Sequence, residues 1–182
     1  MTAAATAQLR PYPASRPCPI DAIAVSVWRE DGGGLRLRFE LAGKIHQTAV
    51  PAPRAARMAD GLWAHTCCEA FIGLPGSPAY REFNFSPSGE WAIYDFDAYR
   101  QRSAAGTVPP APLIASRLAA DRLVLDATVA PAALPQGSPL ELGLTTVVEA
   151  ADGTLSYWAL HHPGARPDFH LRDAFTLTLA RP

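Results

Sequence analysis

The stretch LRLRFEL, residues Leu35 to Leu41, alternates without a break. Leu35, Leu37, Phe39 and Leu41 fall on one side, Arg36, Arg38 and Glu40 on the other. Successive side chains of an extended chain point to opposite faces, so this period of two reads as a half-buried strand. RLVLDATVA, from Arg122 to Ala130, repeats the pattern with Leu123, Leu125, Ala127 and Val129 inward. Further strand candidates are AIAVSVWR, CCEAFIGL, YREFNFS, EWAIYDF, LIASRLAA, LELGLTTVVEA, LSYWAL and AFTLTLA.

Turn chemistry separates these runs. DGGG (Asp31 to Gly34), SPSG (Ser86 to Gly89) and ADGT (Ala151 to Thr154) have the residue types that hairpin turns need. PAALPQGSP is a longer connection rich in Pro and Gly, and the region from Ala98 to Ala111 reads as a loop. Helix signal is confined to RAARMA within PAPRAARMADGLW, where propensity would allow one turn. About ten short strands at this spacing predict an all-β fold: a two-sheet antiparallel β-sandwich or a barrel. The expected organisation is an extended or loosely ordered arm over residues 1–19 and one domain over residues 20–182.

The chain of 182 residues is long enough for a proper core. Its 16 basic and 17 acidic side chains give a net charge of −1, which argues against a nucleic-acid or anionic-membrane partner. No run approaches the roughly 20 apolar residues of a membrane span. The first residues lack the charged start and continuous apolar core of a secretory signal, so the expected compartment is the cytoplasm. Cys18, Cys67 and Cys68 form an odd set. Neighbouring cysteines in a strand face opposite ways, and a reduced protein is the simpler expectation.

The chemistry-bearing residues concentrate between Leu62 and Arg100. His65 lies close to Cys67 and Cys68, but two adjacent cysteines lack the spacing that folds both thiolates onto one zinc ion. His161, His162 and His170 form a second group, which leaves a divalent metal or haem as an alternative. Glu69 and Glu82 stand on neighbouring expected strands, as a glycosidase pair would, yet no catalytic motif accompanies them. In YREFNF, Phe83 and Phe85 share a core face while Tyr80, Glu82 and Asn84 share the other. A ring beside a carboxylate and an amide suits a sugar: the ring takes its apolar face and the polar groups take its hydroxyls.

LWAHTCCEAFIGL and YREFNFSPSGEWAIYDFDAYR, with the later WALHHPGARPDFHLRDAFTLTL, resemble bacterial DOMON-like domains, which are related to the family 9 carbohydrate-binding modules. The resemblance runs from about Ile20 to the C-terminus. It implies a two-sheet sandwich of jelly-roll or immunoglobulin-like form, and ligand binding rather than catalysis. In the sugar-binding modules two tryptophans clamp a terminal sugar ring while acids and amides hold its hydroxyls. That makes Trp63, Trp91 and Trp158 the candidate clamps, with Glu82, Asn84, Tyr94, Arg81 and Arg100 as candidate orienting groups. Haem-binding relatives use methionine with histidine or lysine, and only Met58 is available for that use here. The expected partner is a small carbohydrate or glycoside, with no cofactor. The alternatives are a haem or metal module built on histidines, and a structural or interaction sandwich without a small ligand.

Overall fold

The computed structural model describes residues 5–104 and 109–180. Its strands, in chain order, are β1 (Ala5–Pro11), β2 (Ile20–Arg29), β3 (Leu35–Gly43), β4 (Cys67–Gly73), β5 (Tyr80–Phe85), β6 (Trp91–Ala98), β7 (Gln101–Arg102), β8 (Leu113–Leu118), β9 (Arg122–Val129), β10 (Leu140–Glu149), β11 (Leu155–Ala159) and β12 (Leu177–Leu179). The helical content of the described residues is short 3-10 turns, among them Leu62–Ala64 and Pro131–Ala133. The fold is therefore all-β, and every strand pairing is antiparallel.

The strands were expected in two sheets. Hydrogen bonding instead links them in one path, β7-β6-β5-β4-β10-β11-β1-β2-β3-β9-β8, with β12 beside β10. The reason lies in β1. Its residues Ala5 to Leu9 pair with β2, from Ala5 opposite Val27 to Leu9 opposite Ile23. Arg10 and Pro11 then pair with Ala159 and Trp158 of β11. Residues 5–11, expected in an arm outside the domain, thus splice the two halves of the path together.

The alternation seen in the sequence decides the core. Leu35, Leu37, Phe39 and Leu41 of β3 pack with Ile23, Val25 and Val27 of β2 and with Leu123, Leu125, Ala127 and Val129 of β9. The same apolar cluster takes in Cys68, Ala70 and Ile72 of β4, Phe83 and Phe85 of β5, Ile93 of β6, and Leu142, Leu144 and Val148 of β10. Strands β4 and β5 differ from β3 in one respect. Their other face is covered too, by a second cluster of Phe71, Tyr80, Ala92, Tyr94, Phe96, Ala174 and Phe175. All seven residues of β4 are consequently buried, which is why CCEAFIG carries apolar residues on both parities instead of alternating cleanly. Gly143 of β10 permits this covering: a Cβ there would stand 2.9 Å from the Phe175 ring.

Two local expectations are corrected. RAARMA is not helical. Ala59 donates its N–H to Trp91 O at 2.9 Å, Trp91 donates to Arg57 O at 3.0 Å, and Arg57 is held by Glu90 at 2.8 Å. Tertiary hydrogen bonds to the start of β6 override a modest helix propensity. Within the expected loop from Ala98 to Ala111, Gln101 and Arg102 form β7 against β6, while residues 105–108 lie outside the described residues.

The burial pattern sets a contrast in stability. Phe39 is fully buried, and Phe39→Ala is expected to cost about 3–5 kcal/mol. Leu113 is 74% exposed on edge strand β8, and Leu113→Ala is expected to stay within about 0.5 kcal/mol. Urea unfolding of both variants against the parent protein measures the difference.

Candidate functional site

Register brings the site together. Across β4 and β5, Glu69 stands opposite Asn84 and Phe71 opposite Glu82. Across β5 and β6, Glu82 stands opposite Tyr94 and Tyr80 opposite Phe96. Across β4 and β10, Thr145 stands opposite Glu69, and Val147 of β10 stands opposite Tyr157 of β11. Residues directly opposed in a sheet share a face. This face, which points away from the main core, floors a cleft of about 620 Å³. Glu69, Phe71, Glu82, Phe96, Val147, Leu155 and Tyr157 come from the strands. Trp63 and Ala64, Arg100 and Arg102, and the Pro167–His170 loop supply the rim and walls. Trp63 sits in the Leu62–Ala64 turn with 55% of its surface exposed.

The wall is built around Asp168. Its carboxylate accepts from Tyr99 Oη at 2.5 Å, from Arg100 Nη2 at 2.9 Å and from the His170 backbone N–H at 3.1 Å. These bonds hold the Asp168 carboxyl below the usual range despite its burial. Arg100 adopts a positive φ of 54°, a conformation uncommon outside glycine. Its backbone N–H is fixed there by Tyr80 Oη at 3.2 Å.

The same Tyr80 oxygen is hydrogen-bonded to Nδ1 of His170, 2.8 Å away. Nε2 of His170 lies 3.8 Å from Glu82 Oε2. Burial, then the nearby Arg100 charge, push the His170 pKa down to about 4, so the ring is neutral at neutral pH. Phe71 and Phe96 meet the ring edge-on at centroid distances of 5.2 and 5.0 Å.

Two carboxyl groups share the floor. Glu69 is 2% exposed and Glu82 is 5% exposed. Burial, and then the proximity of Glu82, push the Glu69 pKa up to about 8. Glu82 is also raised by burial, but less freely, because its Asn84 hydrogen bond and the charges of Arg102 and Arg100 favour its ionised form. Burial of both groups and their mutual proximity favour retention of a proton by the pair at neutral pH. Thr145 Oγ1 donates to Glu69 Oε2 at 2.8 Å, and Asn84 Nδ2 donates to Glu82 Oε1 at 2.6 Å. Arg102 lies over the Tyr94 ring, 3.8 Å from its centroid.

The residues singled out from the sequence divide sharply. Trp63, Glu82 and Arg100 line the cleft. Asn84 lies fully buried behind Glu82 and orients it. Tyr94 is buried beneath Arg102 and donates to Asp60 Oδ1 at 2.5 Å. Three assignments are corrected. Trp91 and Trp158, 7% and 4% exposed, belong to the main core, because their register places them on the opposite face of β6 and β11. Trp158 Nε1 is satisfied by Ser156 Oγ at 3.2 Å. Arg81 has the parity of Phe83, and its guanidinium binds Asp95 at 2.6 and 2.7 Å and Ala133 O at 2.7 Å.

Arg102, Tyr157 and Phe169 also line the cleft and were not among the expected site residues. Tyr157 could have been found from parity with Leu155. Phe169 could not, since it stands on an irregular loop whose position follows from tertiary packing.

The histidines have separate partners. His65 bonds Glu149 at 2.8 Å, and His162 bonds Arg10 O at 2.9 Å. His170 alone among them lines the cleft, and His161 is exposed. Among the described residues no three His, Cys, Asp or Glu side chains are grouped to hold a metal ion. The three cysteines are free thiols. Met58, the methionine considered for haem, is 48% exposed and bridges Trp91.

The two shifted groups give stability opposite slopes with pH. Glu69 keeps its proton in the folded state and loses it more readily when unfolded, so stability falls as pH rises from about 4.5 towards about 8. His170 resists protonation when folded, so stability falls as pH drops from 6.5 towards about 4. Glu69→Gln, which keeps an acceptor for Thr145, is expected to raise Tm at pH 8.5 and change it little at pH 5. Thermal unfolding at the two pH values checks this.

No protein-family model matches the chain, and no curated protein matches it. Solved structures do. A candidate carbohydrate-binding protein from Bacteroides uniformis superposes with a TM-score of 0.65 at 15% identity, covering 97% of this chain and 85% of its own. A family 9 carbohydrate-binding module from Caldicellulosiruptor kristjanssonii in complex with cellotriose gives a TM-score of 0.57 at 10% identity, covering 88% and 74%. A family 9 module from the same organism in complex with glucose gives 0.50 at 10% identity, covering 86% and 76%. At these identities the likeness is one of fold.

Proposed function

We propose that the protein is a carbohydrate-binding domain that holds a small neutral sugar or glycoside in the cleft beside Trp63 without transforming it. The observation that carries this reading is a half-exposed indole at the rim of a cleft floored by buried carboxyl groups. A sugar ring has an apolar face, which stacks on an aromatic ring, and an edge of hydroxyls, which need donors and acceptors together. Glu82 and the arginines supply the two kinds of group, and a proton retained by the Glu69–Glu82 pair supplies a further donor. Asn84, Thr145 and Asp168 hold these groups in place beforehand, which lowers the ordering cost of binding.

The placement of the acids supports binding without cleavage. Glu69 and Glu82 lie on adjacent strands of one floor, so both meet a ligand from the same side. A glycosidase needs its two carboxyl groups on either side of the scissile bond. No cofactor enters this reading. The glucose and cellotriose bound by the family 9 modules of similar fold support it. So does the resemblance of the sequence to DOMON-like domains. In this reading the strand path doubles over at β1 into the two layers of a jelly roll, in keeping with the single core shared by both halves.

Titration with glucose, cellobiose, cellotriose and other sugars, followed by tryptophan fluorescence, tests the proposal. A saturable change is expected with at least one sugar. Trp63→Ala should abolish it while leaving the far-UV circular dichroism unchanged, because the side chain is largely outside the core. Glu82→Gln should weaken binding by about tenfold. No saturable response at millimolar concentration across the panel would overturn the reading.

A further inference from the structure

A second depression, of about 430 Å³, adjoins the cleft. The two share Leu155, Tyr157 and Pro167 as lining residues. β11 explains the sharing, since Leu155 and Tyr157 have the same parity and face the same way. The far side of the depression is built by the segment that follows β1. Tyr12 donates its N–H to Tyr157 O at 2.8 Å and its hydroxyl to Ala165 O at 2.6 Å, and Ser15 donates its N–H to Tyr12 O at 2.9 Å. These bonds fix the segment both to β11 and to the loop that carries Pro167.

The polar groups around the depression are of mixed type. Arg16 brings donors and makes no ion pair within 4 Å among the described residues. Asp152 brings acceptors on the β10–β11 turn, where its Oδ1 also takes the Thr154 N–H at 2.9 Å. Ser15 Oγ is buried and has no hydrogen-bond partner among the described residues. Among the groups presented to solvent, one cation and one anion give no net charge. That combination suits a neutral polyol better than an acidic or basic ligand.

We infer that the depression lined by Ser15, Arg16 and Asp152 is a second subsite continuous with the cleft, so that the ligand is a neutral oligosaccharide of two or more units bridging Tyr157. This rests on the carbohydrate reading of the cleft. One unit lies beside Trp63, and the next lies against the Tyr12–Arg16 segment.

Isothermal titration with glucose, cellobiose and cellotriose, and with the xylose and mannose series in parallel, reads the inference directly. In the series that binds, the disaccharide is expected to bind at least about tenfold tighter than the monosaccharide. Arg16→Ala and Asp152→Asn should each remove most of that gain and leave the monosaccharide Kd unchanged. Asn at 152 retains a side-chain acceptor for the turn. Equal affinity for one unit and two, or a length gain that survives both substitutions, overturns the second subsite and leaves the cleft reading standing. Loss of monosaccharide binding in Arg16→Ala also overturns it, because the two depressions would then act as one site. If no sugar of any length binds, the cleft reading fails and the inference fails with it.

Discussion

Two carboxyl groups buried side by side on one sheet face constrain everything around them. Burying an unpaired charge is so costly that such groups neutralise or acquire partners. Glu69 leans to the first course: burial and the nearby Glu82 push its pKa up. Glu82 takes the second, with Asn84 on one oxygen and the charges of Arg100 and Arg102 nearby. The arginines need their own support. Arg100 is tied to Asp168, and Arg102 lies flat on Tyr94. Asp168 in turn collects Tyr99 and the His170 backbone. The two arginines and the loop wall behind them thus stand around one adjacency, Glu69 near Glu82 on neighbouring strands β4 and β5.

The number of covered faces on each strand explains which parts of the molecule were legible in the sequence. LRLRFEL lies in a strand with one buried face and one wetter face, so its alternation is plain, and it predicted β3 correctly. The hairpin turns DGGG, SPSG and ADGT were legible for a similar reason: their residue types are demanded by local backbone geometry. CCEAFIG gave a strand but not a face, because both its faces are covered. Parity did separate Phe83 and Phe85 from Glu82 and Asn84, and the structure keeps that separation. Parity also separates Trp91 and Trp158 from the cleft, but only once the register of β6 and β11 is known. Before that, composition alone offers three equivalent indoles.

The rest was not legible because it depends on contacts between distant segments. Nothing in ATAQLRP marks a strand that must pair with two others. Its Ala5, Ala7 and Leu9 do alternate with Thr6, Gln8 and Arg10, and burial follows that period, but two of the three inward residues are small alanines, which makes the period easy to overlook. RAARMA failed for the opposite reason: a real local preference is outbid by hydrogen bonds to Trp91 and an ion pair to Glu90. His170 was visible as a histidine but not as a neutral one. Its state is set by Tyr80, by the ring edges of Phe71 and Phe96, and by the Arg100 charge, which come from three different strands and a turn.

The N-terminal segment joins the fold to the site. β1 splices the two halves of the strand path, and within a few residues the same chain becomes the wall of the second depression. Tyr12 therefore cannot move without disturbing the point where Arg10 and Pro11 leave β2 for β11. A ligand resting on Tyr157 would contact a strand held on one side by β10 and on the other by β1. A wall fixed in this way loses little freedom when a ligand binds, so most of the contact energy is retained as affinity. The same rigidity restricts what the site accepts. With the Glu69–Glu82 floor, the Asp168 wall and the Tyr12–Arg16 segment each held by hydrogen bonds, the donors and acceptors around the cleft are fixed in position before any ligand arrives.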